Sequence, residues 1–257
     1  MTTAADGEDM GMQPAMTDTD IRKSFHQQLD DIKHDIVRMA AIVTEAVPQG
    51  TAVLLDGDLH GAQELIEADD LLDTLALDTE ERCYQLLALQ QPMASDLRSI
   101  VTALRMVSEI ERSGDLVVNI AKGARRIYGT TFPPRMRGLI TQMGEESAKL
   151  FRIAIDAYVE HDDGKAAALP DLDDRLDALH KDYIQEIFET HGREELEIRA
   201  GVQLALIGRY YERIGDHAVN IGERVRYMVT GWLPEHTGAA REAARRQTDP
   251  PHIEPAD

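Results

Sequence analysis

The sequence predicts an all-α protein made of two similar three-helix bundles lying side by side. Helix-forming residues (Leu, Ala, Ile, Met, Glu, Asp and Arg) dominate, and aromatic residues make up only 5% of the chain. Apolar residues recur at three- and four-residue steps in six long segments. A distinctive stretch near the end of the third segment returns near the end of the sixth, which indicates an internal duplication.

The first three segments are separated by turn-forming residues. Segment one covers about 21–55, and an apolar stripe at helical spacing runs along it. Segment two follows an Asp-Gly pair and covers about 57–89. Segment three opens at Pro92, because proline is favoured in the first turn of a helix, and it continues to about residue 128.

A run of Gly, Thr, Phe and Pro at 129–134 is the strongest break in the middle of the chain. The three segments after it cover about 135–160, 165–190 and 192–229. The break therefore separates a first bundle, predicted over 21–130, from a second bundle, predicted over 131–233.

Both ends are predicted to be disordered tails. Residues 1–20 contain five acidic residues and almost no large apolar residue, and residues 234–257 combine Pro, Gly, Ala and mixed charges. Neither segment can bury enough apolar surface to offset the entropy lost on ordering.

The duplication aligns the two halves at an offset of 101 residues. Eight of the fifteen positions 111–125 are identical to their counterparts at 212–226. A second match relates 69–75 to 173–179 at an offset of 104. The difference of three residues falls in the turn between the second and third helix, where a change of loop length costs little free energy.

Composition excludes several classes of function. The chain carries a formal charge of −20, which argues against nucleic acid and an anionic membrane surface as partners. A single cysteine, Cys83, excludes an intramolecular disulfide and suits a reducing cytoplasm. No phosphate-binding loop, dinucleotide-binding glycine motif, zinc protease motif or nucleophile elbow occurs, so an enzyme of a familiar class is disfavoured.

Four acidic residues continue the apolar stripes of their predicted helices, which start at Leu97 and Ile198, although acids are expected on the opposite face. These acids are Glu111, Asp115, Glu212 and Asp216. If the stripes are buried, unpaired carboxylates on them cost several kcal/mol. We therefore expect a bound cation, or arginines that form salt bridges between helices, to neutralise these groups. The candidate arginines are Arg98, Arg105, Arg199 and Arg209.

A metal site built from both repeats is one interpretation of this pattern. The candidate ligands are Glu111, Asp115, Asn119, Glu212, Asp216 and Asn220, with Asp73 and Asp177 from the facing second and fifth segments. Such oxygen-rich sites suit magnesium, manganese, iron or calcium more than copper. Three alternatives stay open: a solvated acidic face, a carboxylate-bridged metal-dependent enzyme and a metal-storage bundle.

The duplicated motif Glu-Arg-x-Gly-Asp-x-x-Val-Asn-Ile, together with Gln-Pro-Met-Ala-Ser-Asp-Leu-Arg at 91–98, resembles the PhoU family over essentially residues 21–230. The resemblance implies two three-helix bundles and a cytoplasmic protein, often a homodimer, that is not an enzyme. It implies contacts with the ATPase of the phosphate ABC transporter and with the phosphate-sensing histidine kinase. Through them the protein would repress the phosphate-starvation response and restrain uptake when phosphate is plentiful.

The same resemblance implies metal clusters, of iron or zinc, at the acidic motifs. Carried over by position, these motifs are the pairs Glu111/Asp115 and Glu212/Asp216. Magnesium and manganese stay open as alternatives.

Overall fold

A computed structural model describes residues 18–90 and 92–231, and within these ranges the chain forms six α-helices and no strand. The helices are α1 (Asp18–Asp56), α2 (Leu59–Gln90), α3 (Ser95–Arg126), α4 (Pro134–Glu160), α5 (Asp163–Gly192) and α6 (Ile198–Thr230). The all-α prediction is confirmed. The predicted C-terminal tail lies outside the described residues, and so does the predicted N-terminal tail except for residues 18–20, which form the start of α1.

Local sequence explains where several helices begin and end. Proline occupies the first turn of α4, where its missing N–H has no helical partner to lose. The Asp162 carboxylate caps α5 by accepting a hydrogen bond from the backbone N–H of Lys165 at 2.9 Å. Gly231 ends α6 with φ of 79°, in the left-handed region that favours glycine.

Two predicted starts were too early. The third segment was placed at Pro92, but α3 begins at Ser95 after Ala94, whose φ is 48°. The sixth was placed near residue 192, but α6 begins at Ile198, because Glu194 has φ of 61° and interrupts the helical path. In both places the backbone adopts a positive φ at a residue type, Ala or Glu, that does not favour turns.

The helices form two bundles joined along two seams. Helices α1, α2 and α3 all contact one another, as do α4, α5 and α6, while α1 packs on α4 and α3 packs on α6. Both seams are antiparallel. In the first, Lys33 Nζ donates to the Val159 carbonyl at 3.1 Å, and Arg137 donates to the Leu55 carbonyl. In the second seam, Arg98 Nε donates to the Met228 carbonyl near one end, and Arg126 Nη1 donates to Gln203 Oε1 near the other, both at 3.4 Å.

The two bundles share one hydrophobic core. Buried apolar side chains from all six helices belong to a single cluster. A hydrogen bond of 2.8 Å between Thr51 Oγ1 of α1 and the Tyr211 hydroxyl of α6 crosses from one bundle to the other inside it. Tyr211 is fully buried, so this bond replaces the water that the hydroxyl loses on folding. The repeats therefore pack as one unit.

The phase predicted for the buried stripes of α3 and α6 was wrong. Leu97, Ile198 and Val202 are exposed, and the buried face of α3 instead follows Ile100 and its neighbours at helical spacing. Each of these helices packs against three others, so most of its circumference is apolar and spacing alone does not single out one face. None of the helices between residues 18 and 231, as far as they are described, is long and apolar enough to cross a bilayer.

Candidate functional site: two acidic clusters

The first acidic cluster consists of Asp69 and Asp73 on α2 with Glu111 and Asp115 on α3. Each pair is spaced by four residues, so its two carboxylates lie one turn apart on the same helical face. Burial raises the pKa of Asp69 to about 6, and repulsion from Asp73, Asp115 and Glu111 adds to this, against an opposing attraction from Lys122. The four carboxylates therefore lie within electrostatic reach of one another.

Glu111 shows the same effect from the α3 side of the cluster. Partial burial raises the pKa of its carboxyl, and the nearby Asp115 and Asp73 charges raise it further, while Arg112 lowers it. Glu111 is half-buried and Asp115 is exposed. The cluster thus lies at the surface of the α2–α3 contact, with its inner edge partly removed from water.

The second acidic cluster consists of Asp173 and Asp177 on α5 with Glu212 and Asp216 on α6. Burial raises the pKa of Asp173 to about 7, and the charges of Asp177, Asp216 and Asp174 act in the same direction. The second cluster, like the first, contains two pairs of acids spaced by four residues on two helices. The duplication relates each of these four acids to one acid of the first cluster.

A glycine between the two α3 acids, and its counterpart on α6, allow each pair of helices to approach closely. A Cβ atom at Gly114 would collide with the Leu72 side chain, and one at Gly215 would collide with the Asp173 carboxylate and lie 2.6 Å from Leu176 Cδ2. Glycine in a helix interior costs about 1 kcal/mol of stability relative to alanine. The close approach of the two helices explains why glycine occupies both positions.

Arg209 distinguishes the second cluster from the first. Its guanidinium forms an ion pair with Glu212 on the next turn of α6, and its Nη2 lies 3.8 Å from Asp216 Oδ2. The duplication places Ser108 at the corresponding position in the first cluster. Burial and the Arg209 charge also lower the pKa of the adjacent His180. Of the four arginines expected from the sequence, Arg209 is the one that pairs with cluster acids among the described residues, and it does so within α6 and not between helices.

Asn220, a predicted ligand of the second cluster, instead contacts a carboxylate that belongs to neither cluster. Asn220 Nδ2 donates to Glu109 Oε2 at 3.1 Å, across the α3–α6 seam, and His217 Nδ1 lies 2.5 Å from the same oxygen. Burial alone would raise the pKa of Glu109, but the hydrogen bonds from His217 and Asn220 outweigh it and the pKa is lowered. Asn119 is half-buried on α3.

Two carboxylates of the acidic clusters, and one carboxylate at the α3–α6 seam, were not predicted from the sequence. Asp69 and Asp173 come four residues before the predicted ligands Asp73 and Asp177, and the offset of 104 already pairs them. That pairing could have identified both residues from the sequence. The duplication gave no such signal for Glu109, because its counterpart in the second repeat is Tyr210.

The donor chemistry of both clusters fits a hard cation. Carboxylate oxygens from two helices are the ligands that magnesium, manganese and iron prefer. The pKa values of Asp69 and Asp173 are raised first by burial and then by repulsion from neighbouring carboxylates, and a bound cation would oppose both effects. Among the described residues, however, no three His, Cys, Asp or Glu side chains are close enough, as arranged, to hold a metal ion. Metal binding therefore stays a prediction.

The duplication that builds the clusters also identifies the chain. The family model described as the PhoU domain matches it twice, over residues 36–124 and 140–225. The chain belongs to the PhoU family. The first PhoU match falls within α1–α3 and the second within α4–α6, so each match corresponds to one bundle and the resemblance seen in the motifs is confirmed.

Relatives in the PhoU family match nearly their whole length. The "phosphate-specific transport system accessory protein PhoU homolog 2" of Mycobacterium tuberculosis is 34% identical over 215 residues, 83% of this chain and 100% of the relative. The PhoU homolog of Clostridium acetobutylicum is 30% identical over 211 residues, 82% of this chain and 96% of the relative.

Solved PhoU structures confirm the fold. The crystal structure of PhoU from Pseudomonas aeruginosa matches with a TM-score of 0.76 and 30% identity, over 81% of this chain and 100% of that chain. The "phosphate transport system regulatory protein PhoU" from Streptococcus pneumoniae matches with a TM-score of 0.74 and 27% identity, over 81% and 98%. The prediction of two side-by-side PhoU-like bundles is confirmed.

Proposed function

We propose that this chain regulates phosphate uptake and the phosphate-starvation response as a cytoplasmic adaptor without enzymatic activity. It binds the ATPase subunit of the phosphate ABC transporter and the phosphate sensor histidine kinase, and it represses the response when phosphate is plentiful. The observation that carries this proposal is the double PhoU match, one in each bundle. The names of the relatives, accessory and regulatory proteins of phosphate transport, support it.

The physical form of the molecule suits an adaptor. Helix α1 has 39 residues and is therefore about 58 Å long, and the other helices have 27 to 33 residues. Such helices offer long, rigid surfaces, and the net charge of −20 favours partners with basic patches. To regulate an ATPase or a kinase, the chain must bind one functional state of it more tightly than the other.

The adaptor role is tested by deleting the gene and measuring phosphate-regulated gene expression. We expect the starvation response to be switched on in phosphate-rich medium, and we expect the tagged protein to co-purify with the transporter ATPase and the kinase from phosphate-rich cells. Unchanged expression after the deletion would refute the adaptor role.

We further propose that the two acidic clusters bind metal ions, iron or zinc by family resemblance, with magnesium and manganese as alternatives, and that the chain forms a homodimer. A bound cation would tie α2 to α3 and α5 to α6. Asp69, Asp73, Glu111 and Asp115 would hold it in the first repeat.

Replacing one acid in each cluster tests metal binding. We expect Asp115→Ala combined with Asp216→Ala to lower the metal content of protein purified without chelators, measured by elemental analysis beside the solution mass. Replacing two exposed acids outside the clusters, Asp30 and Asp78, by Ala is the control. Unchanged metal content in the first variant would assign the cluster acids to ion pairs and solvent.

One observation favours a second candidate, a metal-dependent enzyme. The pKa values of Asp69 and Asp173, near 6 and 7, are in the range that suits general acid–base catalysis at neutral pH. Turnover of a phosphoester by the metal-loaded protein would support this candidate. Bound metal without turnover favours the adaptor, and high, variable loading favours a metal store.

A further inference from the structure

An open groove lies at the end of the molecule where α3 ends and α6 begins. Residues 126–130 on one side and 197–203 on the other line most of it, and it encloses about 530 Å³. We name it the α3/α6 groove. It lies apart from both acidic clusters, since none of their residues lines it.

The α3/α6 groove borders a row of exposed apolar side chains. Ile198, Val202 and Leu206 follow one another at four-residue steps on α6 and are 64%, 53% and 42% exposed, and Tyr128, from beyond the end of α3, is 63% exposed. A single exposed apolar residue is normal in a monomeric protein, but a contiguous group beside a groove marks an interaction site. The row spans eight residues, or about 12 Å along the helix.

The charge of the groove is opposite to that of the chain as a whole. Two arginines, Arg126 and Arg199, line it against one acid, Glu197, although the whole chain carries −20. Arg126 donates to Gln203 at 3.4 Å. Arg199 forms no ion pair with any residue that the structure describes. Both guanidinium groups are therefore available to an acidic partner.

We propose that the α3/α6 groove docks an amphipathic helix of a partner protein, with its apolar stripe on the Ile198–Leu206 row and acidic side chains beside Arg126 and Arg199. This inference rests on the proposed adaptor function, because it names where a partner binds. Four-residue steps form the ridges that pack between helices, and an apolar stripe laid into a groove is a common way to recognise a helix.

Two other occupants fit less well. A membrane presents a broad anionic face to the whole chain, whose charge of −20 repels it, whereas a helix seated in the groove meets mainly the charges within a screening length of about 10 Å. A second copy of this chain, docked by two-fold symmetry through the same groove, would bring a lining with the same excess of arginine over acid against its own copy. Charge complementarity therefore favours an acidic helix of another protein.

Two designed helical peptides test the proposal with the full chain. Both carry leucine at four-residue steps, and one is flanked by Glu where the other carries Lys. We expect fluorescence anisotropy to show the Glu peptide binding at least about tenfold more tightly, and Val202→Glu to weaken its binding by at least about tenfold, as for central interface residues. Arg199→Gln should reduce the preference between the peptides.

Leu77→Glu is the matched control, since Leu77 is 67% exposed on α2 and lies outside the groove. It should leave peptide binding within about twofold of the unmodified chain, as surface changes away from an interface do. Circular dichroism of both Glu variants verifies that each retains its helix content.

Several outcomes would overturn the proposal. These are no binding of either peptide, equal binding of both, or undiminished binding to the Val202→Glu chain. Binding to phosphatidylglycerol vesicles that Val202→Glu abolishes would assign the groove to a membrane. A dimer that Val202→Glu converts to a monomer would assign it to a second copy.

The same experiments separate this proposal from the adaptor function. If the peptide results fail while deletion of the gene still activates the starvation response, only the groove proposal falls. If the deletion has no effect, the adaptor function falls whatever the peptides do.

Discussion

The two acidic clusters have the same carboxylates but different compensating charges. In the second cluster Arg209 pairs with Glu212 and approaches Asp216, whereas the first cluster has Ser108 at that position and an attraction from Lys122 to Asp69. Burial and then repulsion from neighbouring carboxylates raise the pKa of both Asp173 and Asp69, and at Asp69 a nearby positive charge, Lys122, opposes the shift. Duplication preserved the acids, while their neutralisation diverged.

The largest expected effect concerns what the clusters share, the close helix approach. We expect Gly215→Val and Gly114→Val to lower the free energy of unfolding by about 1–3 kcal/mol each, because the new side chain overlaps its neighbours. The loss should be greater at Gly215, where both Asp173 and Leu176 obstruct it. Urea denaturation measures both values.

Gly138→Val is the control for this pair, because a Cβ at Gly138 has no neighbour within 4 Å. If Gly215→Val were as stable as Gly138→Val, the clusters would not depend on close approach.

The second prediction uses pH to compare the buried carboxyls. The pKa of Asp173 is about 7 in the folded chain against an ordinary value of 3.8 for aspartate. The folded state therefore binds the proton more tightly, and Asp173 destabilises it increasingly as pH rises from about 4 to 7. We expect Asp173→Asn to stabilise the protein at pH 8 by about 1–2 kcal/mol, a value reduced for solvent screening. Denaturation across this pH range measures it.

The two clusters should differ in the shape of this curve. The advantage of Asp173→Asn should level off above about pH 7, and that of Asp69→Asn above about pH 6, as their pKa values dictate. Asp182→Asn is the control, because Asp182 is exposed on the same helix and is not among the charges that shift the pKa of Asp173. A stability gain that does not change with pH would contradict the assignment to these carboxyls.

The third prediction exchanges the residues that differ between the clusters, and it rests on the proposed metal binding. We expect Arg209→Ser to strengthen Mn²⁺ binding at the second cluster about tenfold, because the guanidinium competes for Glu212. Ser108→Arg should weaken Mn²⁺ binding at the first cluster by a similar factor. Isothermal titration calorimetry with Mn²⁺ measures both.

Arg213→Ser is the matched control, since Arg213 is exposed and adjoins Glu212 on α6 but points away from it. If neither exchange altered the Mn²⁺ affinity, the divergence of the two clusters would have no bearing on cation binding.

Periodicity and duplication were enough to predict the six helices and the two bundles. They could not give the phase of α3 and α6, because helices that pack on three neighbours are apolar on more than one face. Ile198 and Val202 were therefore predicted to be buried, but the structure exposes both. The late start of α6 depends on the left-handed backbone of Glu194, which the residue type does not signal.

The candidate site was predicted in part for similar reasons. The acids at 111, 115, 212 and 216 followed from the repeated motif, but Asp69 and Asp173 were missed because α2 is acidic on every side. Which of its acids faces α3 depends on the approach that Gly114 permits. Asn220 was grouped with the acids of its own helix, although it binds Glu109 across the seam, a contact between repeats that no single helix reveals.

The shared core has an evolutionary consequence. A protein with a single repeat would leave the seam faces of α1 and α3 uncovered, and the simplest way to cover them is to pair with an identical molecule. Fusion of two such genes keeps the halves together at any concentration and releases each from the demand of serving both sides of a symmetric pair. An arginine in one half, opposite a serine in the other, is a difference that a symmetric pair of identical chains cannot carry.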